Sequence, residues 1–197
     1  DALRLAAFAT VRRSWKVCDL GTGSGCLLLL LSGRATGLDL YGVELDPTAA
    51  RAARENLALL CGVHGLSRQE TAARTEELSR ALGLEPILAR RAGKLSGGWQ
   101  RRLSIAMALV ARPEILFLDE PTLGLDVLAR AELWDVIRAL KGRITVILTT
   151  PYMEEAEDLS DRVGDMKDGR LLALGTPEEL KAQTGCEKFE EAFIAIV

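Results

Sequence analysis

Leu95-Ser96-Gly97-Gly98-Trp99-Gln100-Arg101-Arg102 leads through an apolar helical run into Ile115-Leu116-Phe117-Leu118-Asp119-Glu120-Pro121-Thr122, and then into Leu123-Gly124-Leu125-Asp126. The first segment is a Ser-Gly-Gly turn that opens a helix. Backbone N–H groups at a helix start lack intrahelical partners and carry partial positive charge, so they suit a phosphate. The second segment is a short strand, apolar on both faces, that ends in two carboxylates. A carboxylate at a strand's C-terminal end can hold Mg²⁺ or its water shell, and its neighbour can polarise an attacking water.

In this order and at this spacing the segments resemble the ABC-type ATPases: a Leu-Ser-Gly-Gly-Gln-like signature, a Walker B strand, a catalytic glutamate and a D-loop. Trp99 is a mild departure in a slot that varies in the family. The resemblance implies an α/β fold: a parallel Rossmann- or P-loop-like sheet with flanking helices and a helical ABC-type subdomain. It gives Asp119 to Mg²⁺, Glu120 to water polarisation and Asp126 to a contact across subunits. ABC sites form between two subunits, one giving Walker A and B and the other the signature. Ser96, Gly97, Gly98 and Gln100 would therefore serve ATP bound, with Mg²⁺, to a second ABC nucleotide-binding subunit. A membrane-spanning permease is the further partner implied, and the location is cytoplasmic, peripheral to the inner face of the membrane.

Two family features are missing. A Walker A needs Gly-x4-Gly-Lys followed by Ser or Thr. Ser24-Gly25-Cys26 has no lysine, Lys16 precedes its strand, and Gly93-Lys94 is followed by Leu95. The lysine that bridges phosphates and the hydroxyl that binds Mg²⁺ are thus both absent. Downstream, Pro151 stands where the family's switch histidine contacts the γ-phosphate. Both departures predict an impaired site of the chain's own, so that activity as an ATPase rests on the resemblance alone.

The first sixty residues read differently. Val17-Cys18-Asp19-Leu20 is a short strand that runs into Gly21-Thr22-Gly23-Ser24-Gly25 and an apolar helix. Leu40-Tyr41-Gly42-Val43 is a second strand, ending in Glu44-Leu45-Asp46-Pro47. Strand, glycine turn, helix and acid-ended strand make a dinucleotide-type half-unit, in which glycines admit the ligand and the acid holds ribose hydroxyls. The fuller string is similar to motif I and the acidic loop of class I S-adenosylmethionine-dependent methyltransferases, especially those acting on adenine N6 in RNA. By that resemblance Asp19, Gly21, Gly23 and Gly25 line the methionine side of S-adenosylmethionine, and Glu44 holds its ribose. Thr149 and Thr150 stand where those enzymes carry the Asn and first Pro of their catalytic motif, so no acceptor site is legible.

The two resemblances meet within residues 50–61 with no polar linker, as recombination, a misassembled gene or fragment grafting would leave them. The expected organisation is a methyltransferase-like βαβ half-unit over 1–60, then the C-terminal part of an ABC nucleotide-binding domain over 61–197, with its helical subdomain at about 61–111. Residues 16–20 are expected beside 115–118 in one sheet. Three functions follow: an ABC exporter's ATP-binding subunit or its remnant, a methyltransferase fragment, or a non-catalytic chimeric product.

Composition limits the alternatives. With 197 residues, 48% of them apolar, the chain has ample material for a core. A net charge of −3 argues against a nonspecific nucleic-acid surface, so no direct nucleic-acid partner is expected outside the methyltransferase reading. Four scattered cysteines show no metal spacing and read as reduced, mostly buried thiols. With a single histidine, His64, no histidine-based metal site is available. The longest apolar run, residues 26–31, is too short to span a membrane. The chain opens on Asp1 rather than Met, as a fragment would.

Overall fold

The computed structural model describes residues 12–20, 38–43, 58, 61 and 64–197. The chain divides into two compact units, Asp1–Thr149 and Thr150–Val197. The junction expected near residue 60 falls where residues 59, 60, 62 and 63 lie outside the described set.

The first unit is organised by a four-stranded sheet. Strands β1 (Lys16–Leu20), β2 (Asp39–Val43), β3 (Ile115–Asp119) and β4 (Thr145–Thr149) lie in the order β2-β1-β3-β4, and every pairing is parallel. β1 is thus central, with Val17 opposite Leu40 on one side and Ile115 on the other. Val17 and Cys18 are fully buried, as are Ile115 and Leu116, which is why β3 reads as a continuous apolar run. Glu114 closes the sheet's N-terminal edge. Its carboxylate accepts from the Lys16 N–H at 2.6 Å, its own N–H donates to the Lys16 carbonyl, and its carbonyl accepts from the Thr145 N–H. The expected placement of residues 16–20 beside 115–118 is therefore what the sheet contains.

Helix α1 (Arg68–Leu82) buries one face, Arg74, Thr75, Leu78, Ser79 and Leu82. Ser67 and Glu70 form a capping box at its start, and Gly83, at φ 62°, ends it in the left-handed conformation. Helix α2 (Gly97–Leu109) follows two short 3₁₀ turns and lies against α1, β1, β2 and α3 (Val127–Leu140). Helical spacing alone puts Leu103, Ala106, Met107 and Val110 on one apolar side. Instead every residue from Leu103 to Leu109 is buried, because α2 is enclosed by four elements. Arg74 ties α1 to the far end of α2, donating to the Leu109 carbonyl and pairing with Glu77 at 2.7 Å. That hydrogen bond holds the Glu77 carboxyl below the usual carboxylate range. Arg102 ties α2 to α3 through Glu132 at 2.6 Å and stacks over Trp99, 4.9 Å from the ring centroid. Cys18 and Cys61 are buried, and burial pushes the Cys61 thiol up.

The second unit comprises α4 (Met153–Leu159), the antiparallel pair β5 (Val163–Lys167) and β6 (Arg170–Gly175), α5 (Pro177–Thr184) and α6 (Phe189–Ile196). Asp168 and Gly169 both have positive φ, 48° and 80°, as a two-residue hairpin turn requires. Thr176 caps α5 with a full capping box to Glu179, and Pro177 takes the first turn. Ala156, Ala173, Leu180 and Phe189 form the unit's core. Asp165, on β5, is 3% exposed and its Oδ2 oxygen has no hydrogen-bond partner, so burial pushes its carboxyl up.

Candidate functional site

The chain order places β2 to one side of β1, then β3 and β4 to the other. The direction of winding reverses between β1 and β3. In open α/β sheets the crevice outside the strands' C-terminal ends at such a reversal is where ligands bind. β3 ends there in Asp119, followed by Glu120, and both carboxylates are exposed.

Their geometry is set by β4. Asp119 lies opposite Thr149 in register. The Thr149 hydroxyl donates to Asp119 Oδ1. That hydroxyl also accepts from the Glu120 N–H at 3.0 Å, and the Thr149 carbonyl accepts from the same N–H at 3.1 Å. Glu120 has φ 44°, a left-handed conformation that costs a non-glycine residue about 1 kcal/mol or more and needs its surroundings to hold it. Two tight turns follow, closed by the Leu123 N–H on the Glu120 carbonyl and the Leu125 N–H on the Thr122 carbonyl. Sequence reading did not single out Thr149 for this role.

These turns deliver the chain to the start of α2. Ser96 is the N-cap residue of α2, but its hydroxyl makes no capping hydrogen bond, which leaves the helix-start N–H groups to another acceptor. A Cβ on Gly97 would lie 3.3 Å from Leu125 Cδ2, and one on Gly98 would lie 3.0 Å from Ala129 Cβ. The second distance is too close for any side chain without movement, so the glycines serve packing as well as access. α2 begins at Gly97, so the Ser-Gly-Gly turn opens the helix itself. Gln100 donates from its side chain to the Ala92 carbonyl at 3.3 Å. Asp126 caps α3, accepting from the Ala129 N–H at 2.9 Å.

Pro151 belongs to the second unit and is exposed. Asp19 is in β1, where only its backbone is described; Gly21, Gly23, Gly25 and Glu44 lie outside the described residues.

The donor set fits a hard cation with oxygen ligands, and it fits only in part. Among the described residues no group of three or more His, Cys, Asp or Glu side chains could hold a metal alone. Mg²⁺ is commonly held by one or two carboxylates together with substrate phosphates and water, so the pair Asp119 and Glu120 suits Mg²⁺ that arrives with a nucleotide.

A parallel sheet with paired acids at its winding reversal defines a class, the nucleotide-binding α/β domains. A family model described as ABC transporter matches residues 21–123. The chain belongs to the ABC transporter family, as an ATP-binding domain. It is similar to the daunorubicin resistance ATP-binding protein DrrA3 of Streptomyces coeruleorubidus, 45% identical over 70% of this chain and 44% of that protein. It is also similar to the probable multidrug ABC transporter ATP-binding protein YbhF of Escherichia coli (strain K12), 37% identical over 91% of this chain and 31% of that protein. A solved structure titled "Structure of ATP binding subunit of ABC transporter" superposes with a TM-score of 0.63 at 27% identity, covering 78% of this chain and 65% of that one. The chain thus spans less than half the length of the two curated relatives. The family match starts at residue 21, so it includes the glycine turn and acidic loop read above as a methyltransferase half-site. Neither that match nor the relatives support the methyltransferase or S-adenosylmethionine assignment, or a chimera.

Proposed function

We propose that this chain is the ATP-binding subunit, or a remnant of one, of an ABC-type exporter, and that it supplies signature and Walker B elements to ATP binding and hydrolysis. The observation that carries this reading is the Asp119–Thr149–Glu120 cluster at the sheet's winding reversal, linked by residues 120–125 to the signature glycines. Bound Mg²⁺ would neutralise phosphate charge there. Asp119 is the residue offered to Mg²⁺ and Glu120 the one offered to the attacking water. Ser96, Gly97 and Gly98 present helix-start N–H groups to ATP held by a partner subunit. The exposed side chains Leu123, Val127 and Leu128, beside Asp126, favour a partner surface at this face. The export role, with a membrane-spanning permease, takes its support from the daunorubicin-resistance and multidrug names of the relatives. No described helix is long and apolar enough to cross a membrane, so translocation requires another chain or segment.

The chain's own site is impaired in this reading, because it lacks the Walker A lysine and carries Pro151 in place of the switch histidine. Turnover then depends on a composite with an intact subunit. Ser96→Arg fills the helix start with a long cation, so ATP turnover by the mixed complex should fall to background. Unchanged turnover in that mixture would reject the role in trans. Thermal unfolding with Mg-ATP and, separately, with S-adenosylmethionine gives the binding test. A ligand selective for the folded chain at a hundredfold its Kd adds about 2.7 kcal/mol of stability. A midpoint rise with Mg-ATP alone is the expected result.

A further inference from the structure

We infer that Thr149 is a positioning residue for the two carboxylates: one hydroxyl orients Asp119 toward the metal–nucleotide and pins Glu120 in its left-handed backbone conformation. This inference rests on the nucleotide-binding reading above. Three contacts carry it. The hydroxyl proton is given to Asp119 Oδ1, so Oδ2 is the oxygen left to turn toward the crevice. The hydroxyl oxygen takes the Glu120 N–H at 3.0 Å, and the Thr149 carbonyl takes it at 3.1 Å. Glu120 sits at φ 44°, which the chain does not hold without such restraint.

The two bonds run in sequence, from Glu120 N–H to Thr149 O–H to the Asp119 carboxylate, and a chain of that kind polarises each member. A side chain with only a donor or only an acceptor could make one link. A hydroxyl makes both, and β-branching suits the residue to a strand end. Placement follows from register: Thr149 is the β4 residue opposite Asp119, so both strand ends reach the crevice together.

The test uses the full chain and its Thr149→Val and Thr149→Ser variants. Valine keeps the shape and removes the hydroxyl; serine keeps the hydroxyl. Far-UV circular dichroism confirms that each variant folds. In the nucleotide-free chain, amide hydrogen exchange is followed at Glu120. Losing the hydroxyl acceptor should speed exchange there about tenfold in the valine variant, with the serine variant within about twofold of wild type. The second arm titrates ATP with and without Mn²⁺. Wild type should gain affinity from Mn²⁺, and the valine variant should lose about tenfold of that gain while its metal-free affinity stays level. Serine should restore it. Equal Glu120 exchange in valine and wild type overturns the backbone restraint, whatever the nucleotide result. An unchanged Mn²⁺ gain in the valine variant overturns the orientation of Asp119. No ATP binding by wild type refutes the nucleotide reading and the metal part of this inference with it, while the exchange arm still decides the restraint.

Discussion

Asp165 and Glu120 are both costly residues, and the cost has a different origin in each. Glu120 carries backbone strain, held by Thr149. Asp165 carries a buried carboxylate oxygen with no partner, on a strand of the second unit. Leaving a buried polar group unpaired costs about 1–3 kcal/mol, so Asp165→Val should raise stability at neutral pH by about that amount in urea unfolding. The pH dependence has a definite sign. Folding raises the Asp165 pKa, so the folded chain keeps its proton after the unfolded chain has lost it. Stability should therefore fall as pH rises above the unfolded value of about 3.9, and the valine variant should lack that component. A valine variant no more stable than wild type at pH 7 would mean that the Oδ2 oxygen is solvated.

The elements show which features a sequence can carry. β3 is legible because an apolar run ending in acids has few other readings, and the α5 start is legible because Thr176, Pro177 and Glu179 are local signals. The depth of α2 is not legible. Its Ser104 and Ile105 are buried because α1, α3, β1 and β2 close around it, and no periodicity within the helix reports that. Thr149 was hidden for a similar reason. Its role depends on the register of β4 against β3, set by residues thirty positions apart. Glu44 and the glycine turn illustrate the opposite hazard: a local string matched a second family, whereas the family match spans it from residue 21. The tie between α1 and α2 is open to direct measurement. Arg74→Met keeps the buried stem but removes the charged donor from the Leu109 carbonyl, which still accepts from the Arg112 N–H at 3.0 Å; losing a hydrogen bond from a charged group should cost about 1.5–3 kcal/mol in denaturant unfolding. Arg74 lowers the Glu77 pKa, so its contribution through Glu77 is present above the unfolded carboxylate range and lost as pH falls through the folded value. The gap between wild type and variant should narrow in acid; a gap that widens would assign the effect elsewhere.

For the molecule as a whole, the decisive feature is that β1 lies between β2 and β3. Two strands from the first sixty residues, β1 and β2, therefore share one sheet with β3 and β4. Val17→Pro places a residue without an N–H in a buried strand flanked on both sides, which removes a ladder hydrogen bond and leaves its acceptor unpaired, at a cost of about 1–3 kcal/mol. The loss should reach α2, which packs on β1. Trp99 emission, read in a chain with Trp15 and Trp134 replaced by Phe, should shift to that of the unfolded state together with the far-UV signal. An unperturbed Trp99 would separate the two regions. The same pairing also imposes a delay on synthesis. Lys16 and its partner Glu114 are 98 residues apart, so at ribosomal rates of about 5–20 residues per second β1 exists for about 5–20 s before β3 has been made. Throughout that interval one edge of the future central strand is open to any other chain, and the nascent protein is a natural client for a chaperone.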